Sequence, residues 1–137
     1  MMNPIFVDTS ALIALGSQMD GFHQQAKILR KELVQAKRKF VTTHAVILEI
    51  GSYFSQTDFR RIAVQLIEDI QQAGSWECLP SDPWMEKAIV LFKERPDKGW
   101  SLVDCISILV ANDKGITEIF TNDHHFEQAG FHILLSP

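Results

Sequence analysis

The chain has 137 residues, of which 46% are hydrophobic and 22% charged, and its formal net charge is −4. This length predicts a single domain, residues 1–137, with a substantial hydrophobic core. The negative charge argues against a protein that binds nucleic acid through a broad positive surface.

No apolar run approaches the roughly 20 residues that a membrane span needs, and no secretory signal is visible at the N-terminus. The two cysteines, Cys78 and Cys105, show neither a metal-binding spacing nor a disulfide framework. We therefore expect a cytoplasmic protein without membrane association, in which both thiols are reduced.

Short apolar runs alternate with helical patterns through the first half of the chain. The run Ile5-Phe6-Val7 predicts a buried strand, and the segment after it predicts a short helix that ends near Gly16. Further predicted elements are an amphipathic helix across 22–39, a strand at 40–42, a helix at 44–54 with Thr43 as its cap, and a helix at 59–73 that stops at Gly74.

The second half continues this alternation. Residues 75–79 predict a strand, and Ser81-Asp82-Pro83, with a capping side chain followed by proline, predicts a helix that runs to about Arg95. The remaining predicted elements are a mostly apolar helix within 100–115, a strand at 117–121, a short helix at 122–130 and a strand at 131–135. Strands alternating with helices predict a three-layer α/β/α fold around a mostly parallel sheet.

Four acidic residues occupy positions that local structure does not obviously require. Asp8 and Asp123 follow the first and fourth predicted strands, whereas Glu49 and Asp104 lie inside apolar helices. In an open parallel sheet, the groups that perform chemistry gather beyond the carboxyl ends of the strands. Asp8 and Asp123 are expected there, and the two helical acids would join them if their helices face the same cleft.

Taken one at a time, these acids also have structural explanations. Asp8 could cap the first helix, as could Thr9 or Ser10, and Asp123 or Asn122 could cap the helix that follows them. Asp104 completes the pattern Ser101-Leu-Val-Asp, which is typical of a capping box. Glu49 could belong to an exposed stripe of a half-buried helix.

The four carboxylates taken together favour a metal site. Carboxylates held close together repel one another, so a converging cluster is costly unless a cation neutralises it. Oxygen ligands suit Mg²⁺ or Mn²⁺ rather than zinc, which prefers nitrogen and sulfur. The pair His124 and His125 shows no zinc spacing, and we interpret both as surface residues or as neighbours of the ligands.

The acidic balance does not exclude a polyanionic substrate. The chain has 17 acidic residues and 13 Lys and Arg, so without the four clustered carboxylates its formal charge is balanced. Bound divalent ions would make the cleft acceptable to phosphate. Basic residues near the long second helix could contact a phosphate backbone, although we favour a solvated surface; they are Arg30, Lys31, Lys37, Arg38 and Lys39.

The sequence resembles the PIN domain family, and within it the small single-domain ribonucleases typified by VapC-like toxins. The matching segments, in the order and spacing of the family, are FVDTSALIAL, ILEIG, WSLVDCISILVA and IFTNDHHFEQAGF. By this resemblance Asp8, Glu49, Asp104 and Asp123 correspond to the acidic quartet of the family, Thr9 or Ser10 to its nearby hydroxyl position, and Asn122 to a polar neighbour.

The resemblance implies Mg²⁺- or Mn²⁺-dependent hydrolysis of phosphodiester bonds in RNA. Asp8 and Asp104 would bind the metal directly, Asp123 directly or through water, and Glu49 would orient a second ion or a bound water. It also implies a toxin–antitoxin pair, in which a small antitoxin protein occupies the cleft, and a homodimer. Apolar helices such as IAVQLIEDI could supply either interface, or simply belong to the core.

Two other functions remain open at this point. Asp8 followed by Thr9 and Ser10 has the superficial pattern of an aspartyl-phosphate phosphotransferase or phosphatase. That class usually has a second aspartate two residues on, where this chain has Ser10. A non-catalytic α/β interaction module, whose acids are helix caps, is the other alternative.

Overall fold

The computed structural model describes residues 2–137, which form five parallel strands flanked by seven helices in three layers. The elements are β1 Ile5–Val7, α1 Thr9–Gly16, α2 His23–Gln35, β2 Phe40–Thr43, α3 His44–Tyr53, α4 Arg60–Gln72, β3 Trp76–Leu79, α5 Asp82–Glu94, α6 Leu102–Asp113, β4 Glu118–Phe120, α7 His125–Gln128 and β5 His132–Ile133. The predicted α/β/α fold is confirmed.

The sheet has the strand order β3-β2-β1-β4-β5, with all neighbours parallel. The chain leaves β1 toward β2 and β3 on one side and later enters β4 and β5 on the other side. The order therefore reverses between β1 and β4, where Phe6 pairs with Ile119 and Val7 with Phe120. The crevice at the carboxyl ends of two such strands is the usual place for a binding site in an open α/β sheet.

The core forms around β1, because this central strand is covered on both faces. Ile5, Phe6 and Val7 are completely buried, as expected for an apolar run in a parallel sheet. Helix α6 carries the largest share of buried residues among the helices, and its buried face includes Cys105, which is a free thiol. Within residues 2–137, no helix is long and apolar enough to cross a membrane.

Several elements are shorter than the sequence-based prediction. Helix α2 ends before residue 36 because Lys37 adopts a left-handed conformation (φ 58°) and the Arg38 backbone N–H donates to the Leu33 carbonyl at 3.0 Å, which is a Schellman ending. The predicted strand at 131–135 and helix at 122–130 are shorter, at His132–Ile133 and His125–Gln128.

The capping side chain predicted within Ser81-Asp82-Pro83 is not found, because Ser81, the N-cap residue of α5, makes no side-chain capping bond. Its Oγ accepts a hydrogen bond from the backbone N–H of Ala45, at 3.1 Å, and makes no capping bond to its own helix. The hydroxyl therefore ties the start of α5 to the start of α3. Thr43 does cap α3, since its Oγ1 accepts from the Val46 backbone N–H.

Candidate active site

Asp8 lies at the carboxyl end of β1 and caps helix α1. Its Oδ2 accepts a hydrogen bond from the Ser10 backbone N–H at 3.4 Å and another from the Thr121 hydroxyl at 2.8 Å. Only 4% of the residue is exposed. Asp8 is therefore the N-cap of α1, as one of the structural explanations predicted. It also lies at the point between β1 and β4 where the strand order reverses.

Hydroxyl groups join the loop after β1 to the loop after β4. The Thr121 hydroxyl donates to Asp8, so the 2.8 Å contact between Ser10 Oγ and Thr121 Oγ1 is donated by Ser10. In return, Ser10 Oγ accepts from the Asn122 backbone N–H at 3.1 Å, and Thr121 Oγ1 accepts from that of Asp123 at 3.0 Å. This network fixes the position of the Asp123 backbone, from which the carboxylate extends.

Thr121 was not identified from the sequence. It is completely buried, and a buried threonine at the end of a strand resembles an ordinary core residue. The available signal was its position directly before Asn122 and Asp123, at the carboxyl end of a strand.

Asp104 forms the predicted capping box at the start of α6. Its Oδ2 accepts from the Ser101 backbone N–H at 3.0 Å, and its own backbone N–H donates to Ser101 Oγ at 3.0 Å. The residue is 9% exposed. The same Oδ2 lies 3.5 Å from Nδ1 of His125, so the carboxylate also faces the loop after β4.

The closest group of possible metal ligands comprises Asp104, Asp123 and His125. One ligand atom from each residue lies within 4.8 Å of the other two. His125 Nδ1 is 3.3 Å from Asp123 Oδ1 and has no hydrogen-bond partner among residues 2–137, although the atom is buried. Of the two interpretations given for His125, this geometry favours a neighbour of the acidic residues over a surface residue. Only a fold that brings α7 beside α6 reveals it.

Glu49 reaches the same edge of the sheet from α3. Its Oε1 accepts a hydrogen bond from the Thr9 hydroxyl, at the first residue of α1. Glu49 is therefore anchored to the α1 N-terminus and is not part of a free, solvated stripe. The structure thus gathers all four predicted acids at the carboxyl ends of the strands, and we call this part of the molecule the acidic edge. Asp8 and Glu49 lie outside the closest group of three possible ligands.

Burial and like charges make this edge electrostatically unfavourable for carboxylates. Burial, as the largest cause, together with the charge of Asp104, raises the pKa of Asp8 to about 6, although the hydrogen bond from Thr121 opposes this shift. Burial also raises the pKa of Asp104, and the charge of Asp123 adds to it. A bound cation would reverse both effects.

The donor set fits a divalent cation. Asp104 and Asp123 supply carboxylate oxygens, which Mg²⁺ and Mn²⁺ both accept, and the buried Nδ1 of His125 lacks any other partner within the described chain. Asp8 adds a further carboxylate, which lies close enough for the charge of Asp104 to raise its pKa.

The basic residues around the end of α2 lie at the opposite edge of the sheet. Arg38 is 8% exposed, pairs with Glu118 at 2.7 Å and donates to the Asn3 carbonyl at 2.9 Å. The Lys39 carbonyl accepts from the backbone N–H of Ile5, the first residue of β1. These contacts lie at the amino ends of the strands, so Arg38 and Lys39 do not border the four acids.

A largely apolar groove of about 1140 Å³ extends from the acidic edge between α3, α5 and α6. Thr9 and Glu49 form its end nearest the acids. Along it, Leu48 and Tyr53 of α3 are 72% and 58% exposed, and Met85 of α5 is also exposed. Apolar side chains this exposed and this close together are typical of a binding surface.

Several solved structures share this fold. VapC20 from Mycobacterium tuberculosis, a toxin that cleaves the sarcin–ricin loop, is 28% identical, with a TM-score of 0.80 over 93% of this chain and 95% of that chain. FitAcB from Neisseria gonorrhoeae is 13% identical, with a TM-score of 0.63 over 96% of each chain. DNA-bound VapBC from Salmonella typhimurium is 13% identical, with a TM-score of 0.65 over 97% and 98% of the two chains.

Comparison of the sequence with known families identifies the family of the chain. No curated protein sequence matches the chain. The PIN domain family matches residues 5–132, a range that contains β1 to β4, the first residue of β5 and all four acids of the candidate site. The predicted resemblance is confirmed, and the chain belongs to the PIN domain family, with a VapC-like fold.

Proposed function

We propose that this protein is a metal-dependent endoribonuclease and the toxin of a toxin–antitoxin pair. The observation that carries the proposal is the convergence of Asp104, Asp123 and His125, with Asp8 beside them, at the switch point of a PIN domain sheet. The similarity to VapC20, a toxin that cleaves the sarcin–ricin loop, supports RNA as the substrate.

Within this proposal Asp104, Asp123 and Asp8 would hold an Mg²⁺ or Mn²⁺ ion. Such an ion would supply positive charge to the scissile phosphate and would lower the pKa of water at the site. Asp8 keeps its orientation because Thr121 and the Ser10 backbone hold its Oδ2. Asp123 is held in turn by its backbone bond to the Thr121 hydroxyl.

Glu49 has a different role in the proposal, because Thr9 holds one of its oxygens at the rim of the site. From there the carboxylate orients the attacking water or a second ion. Ser10 and Asn122 act through the hydroxyl network, which fixes the separation of the two acidic loops. Hydrolysis by water needs no ribose 2′-hydroxyl, so the preference for RNA rests on the likeness to VapC20.

We place the antitoxin in the apolar groove between α3, α5 and α6. A segment with apolar side chains would bury Leu48, Tyr53 and Met85 there and would end beside Glu49, where it obstructs the site. Helix α4, which contains the segment IAVQLIEDI, was the other predicted interface. Its apolar residues Ala63, Leu66 and Ile70 are buried, so this helix packs mainly into the core. Homodimer formation stays a prediction.

The experiment that tests the activity is the substitution Asp104→Asn, assayed for cleavage of single-stranded RNA and of a sarcin–ricin stem-loop with Mg²⁺ or Mn²⁺. Asparagine can still accept from the Ser101 backbone, so the helix cap survives while a charged ligand is lost. We expect cleavage to fall at least about 100-fold with little loss of stability.

The matched control is Asp113→Asn at the other end of α6, where the side chain accepts from Trp84 Nε1 and can still do so. This control should cleave at the wild-type rate. Unchanged metal-dependent cleavage by the Asp104 variant would contradict the proposal. A wild-type protein that cleaves neither RNA would favour the non-catalytic interaction module. Phosphorylation of Asp8 would favour the aspartyl-phosphate phosphotransferase or phosphatase.

A further inference from the structure

The backbone of His125 is fixed by two hydrogen bonds and its ring lies against a neighbouring glycine, so the position of the ring is restricted. Its backbone N–H donates to Asp123 Oδ1 at 2.9 Å, and its carbonyl accepts from Trp100 Nε1 at 3.1 Å. The ring lies against Gly99, where a Cβ atom would be only 3.0 Å from Nε2. The Nδ1 atom is therefore the one that faces the acidic residues.

Hydrogen bonding does not account for the position of Nδ1. Its distances to Asp123 Oδ1 and Asp104 Oδ2 are 3.3 and 3.5 Å, whereas charge-assisted N–H···O bonds are typically about 2.7–2.9 Å. Neither contact has hydrogen-bond geometry, and the buried atom finds no other partner among residues 2–137. A buried polar atom without a partner calls for an explanation such as an ion.

We propose that His125 Nδ1 is a direct ligand of the metal ion, alongside Asp104 and Asp123, and that this nitrogen makes the site select Mn²⁺ over Mg²⁺. The inference rests on the proposed function, because it concerns the same site. It assigns a role to a residue outside the acidic quartet, and it names the preferred ion.

The selectivity follows from the chemistry of the donor atoms. Carboxylate oxygens bind both ions, but Mg²⁺ is a hard cation that strongly prefers oxygen and retains several waters. Imidazole nitrogen is a ligand that first-row transition metals accept, and Mn²⁺, although it also favours oxygen, accepts it more readily than Mg²⁺ does. Exchanging this nitrogen for an amide should therefore weaken Mn²⁺ binding far more than Mg²⁺ binding.

The adjacent histidine provides a matched control. The ring centroid of His124 is 5.0 Å from that of His125, yet His124 is exposed and is not part of the closest ligand group. A general effect of losing one histidine from this loop would appear in both variants. An effect of losing a metal ligand would appear in His125→Gln alone.

The first measurement uses the wild-type protein, so it does not depend on a variant that folds. Pulsed electron paramagnetic resonance of the Mn²⁺-loaded protein should show coupling to a directly bound nitrogen. Labelling the histidines with ¹⁵N should change that coupling. The signal should persist in His124→Gln and disappear in His125→Gln. An Mn²⁺-loaded wild type without nitrogen coupling would overturn the inference.

The second measurement is calorimetric titration of each variant with Mn²⁺ alone and Mg²⁺ alone. For His125→Gln we expect the Mn²⁺ Kd to rise at least about tenfold and the Mg²⁺ Kd to change less than about threefold. Equal weakening for both ions would overturn the selectivity. Metal-dependent RNA cleavage without nitrogen coupling would refute this inference alone, whereas a wild type that binds neither ion would also refute the metal dependence of the proposed function.

Discussion

Thr121 and Asp8 are joined across the two central strands, because the Thr121 hydroxyl donates to Asp8 Oδ2 at 2.8 Å. Each residue follows the last residue of its strand, β4 and β1 respectively. The threonine hydroxyl also accepts from Ser10 Oγ and from the Asp123 backbone, so three of its possible hydrogen bonds are made. One buried hydroxyl therefore supports two of the acidic residues.

Replacing Thr121 with valine should destabilise the protein. The substitution keeps the shape of the side chain but leaves Asp8 Oδ2 and the Asp123 backbone N–H without this partner, which should cost about 1–3 kcal/mol. Urea denaturation without metal would measure the loss. Thr121→Ser is the matched control and should recover most of the stability. Equal stability of the valine variant and the wild type would contradict the role assigned to this hydroxyl.

Metal-free protein should lose stability as the pH rises from about 4 to about 7. Because the pKa of Asp8 is raised from 3.8 to about 6, the folded state binds more protons than the unfolded state across this range. Stability falls with pH wherever that holds, and the shift of Asp104 acts in the same direction. Urea midpoints measured in the presence of a chelator at pH 5 and pH 7.5 would show the trend.

Asp8→Asn should remove part of this pH dependence and should stabilise the metal-free protein at pH 7.5. Asparagine can still cap α1 and accept from Thr121, so the variant mainly removes a buried charge. The gain should reach at most about 3 kcal/mol, which corresponds to the pKa shift of Asp8. The same variant should lose RNA cleavage. A less stable variant with an unchanged pH slope would show that Asp8 is not the titrating group.

Ser101→Ala separates the helix cap from the acidic site. The substitution removes the hydroxyl that accepts from the Asp104 backbone, which should cost about 1 kcal/mol, but it leaves the Ser101 backbone N–H to hold the carboxylate. We expect lower thermal stability, with a cleavage rate within about threefold of the wild-type rate. Loss of a catalytic group usually lowers the rate far more than this, because it removes stabilisation of the transition state. Ser101→Thr should restore the stability. A collapse of cleavage would mean that the hydroxyl itself orients Asp104.

Gly99→Ala should disturb the site without removing any of its donors. The added methyl would lie 3.0 Å from His125 Nε2, so the ring must move by a few tenths of an ångström. We expect weaker Mn²⁺ binding, measured as a smaller rise of the melting temperature with added Mn²⁺. Gly74→Ala, where a methyl would meet nothing within 4 Å, is the matched control. An unchanged Mn²⁺ response would show that the ring position is not critical.

The sequence was sufficient to predict the order of the strands and helices, because that order follows from local periodicity. The run at 5–7 is fully buried as predicted, and the helix of residues 44–53 has Thr43 as its cap. Departures occur where a distant contact decides the outcome. Ser81 bonds to Ala45, 36 residues away, and no local pattern indicates that choice over a capping bond.

The candidate site shows the same division. The pattern Ser101-Leu-Val-Asp pointed to Asp104 and its capping box, and the ends of predicted strands pointed to Asp8 and Asp123. His125 could not be identified in this way, because its significance depends on α7 packing beside the start of α6. A histidine followed by a buried phenylalanine, Phe126, is also compatible with an ordinary short surface helix.

The capping box of α6 links the start of a helix to the charge of the site through one oxygen atom. Asp104 Oδ2 accepts from the Ser101 backbone and faces His125 Nδ1. An apolar side chain at position 104 would therefore remove a hydrogen-bond acceptor from the start of the most buried helix as well as a charge from the site. Asparagine at this position would remove the charge alone, so the folding role and the electrostatic role of one residue can be separated by a single substitution.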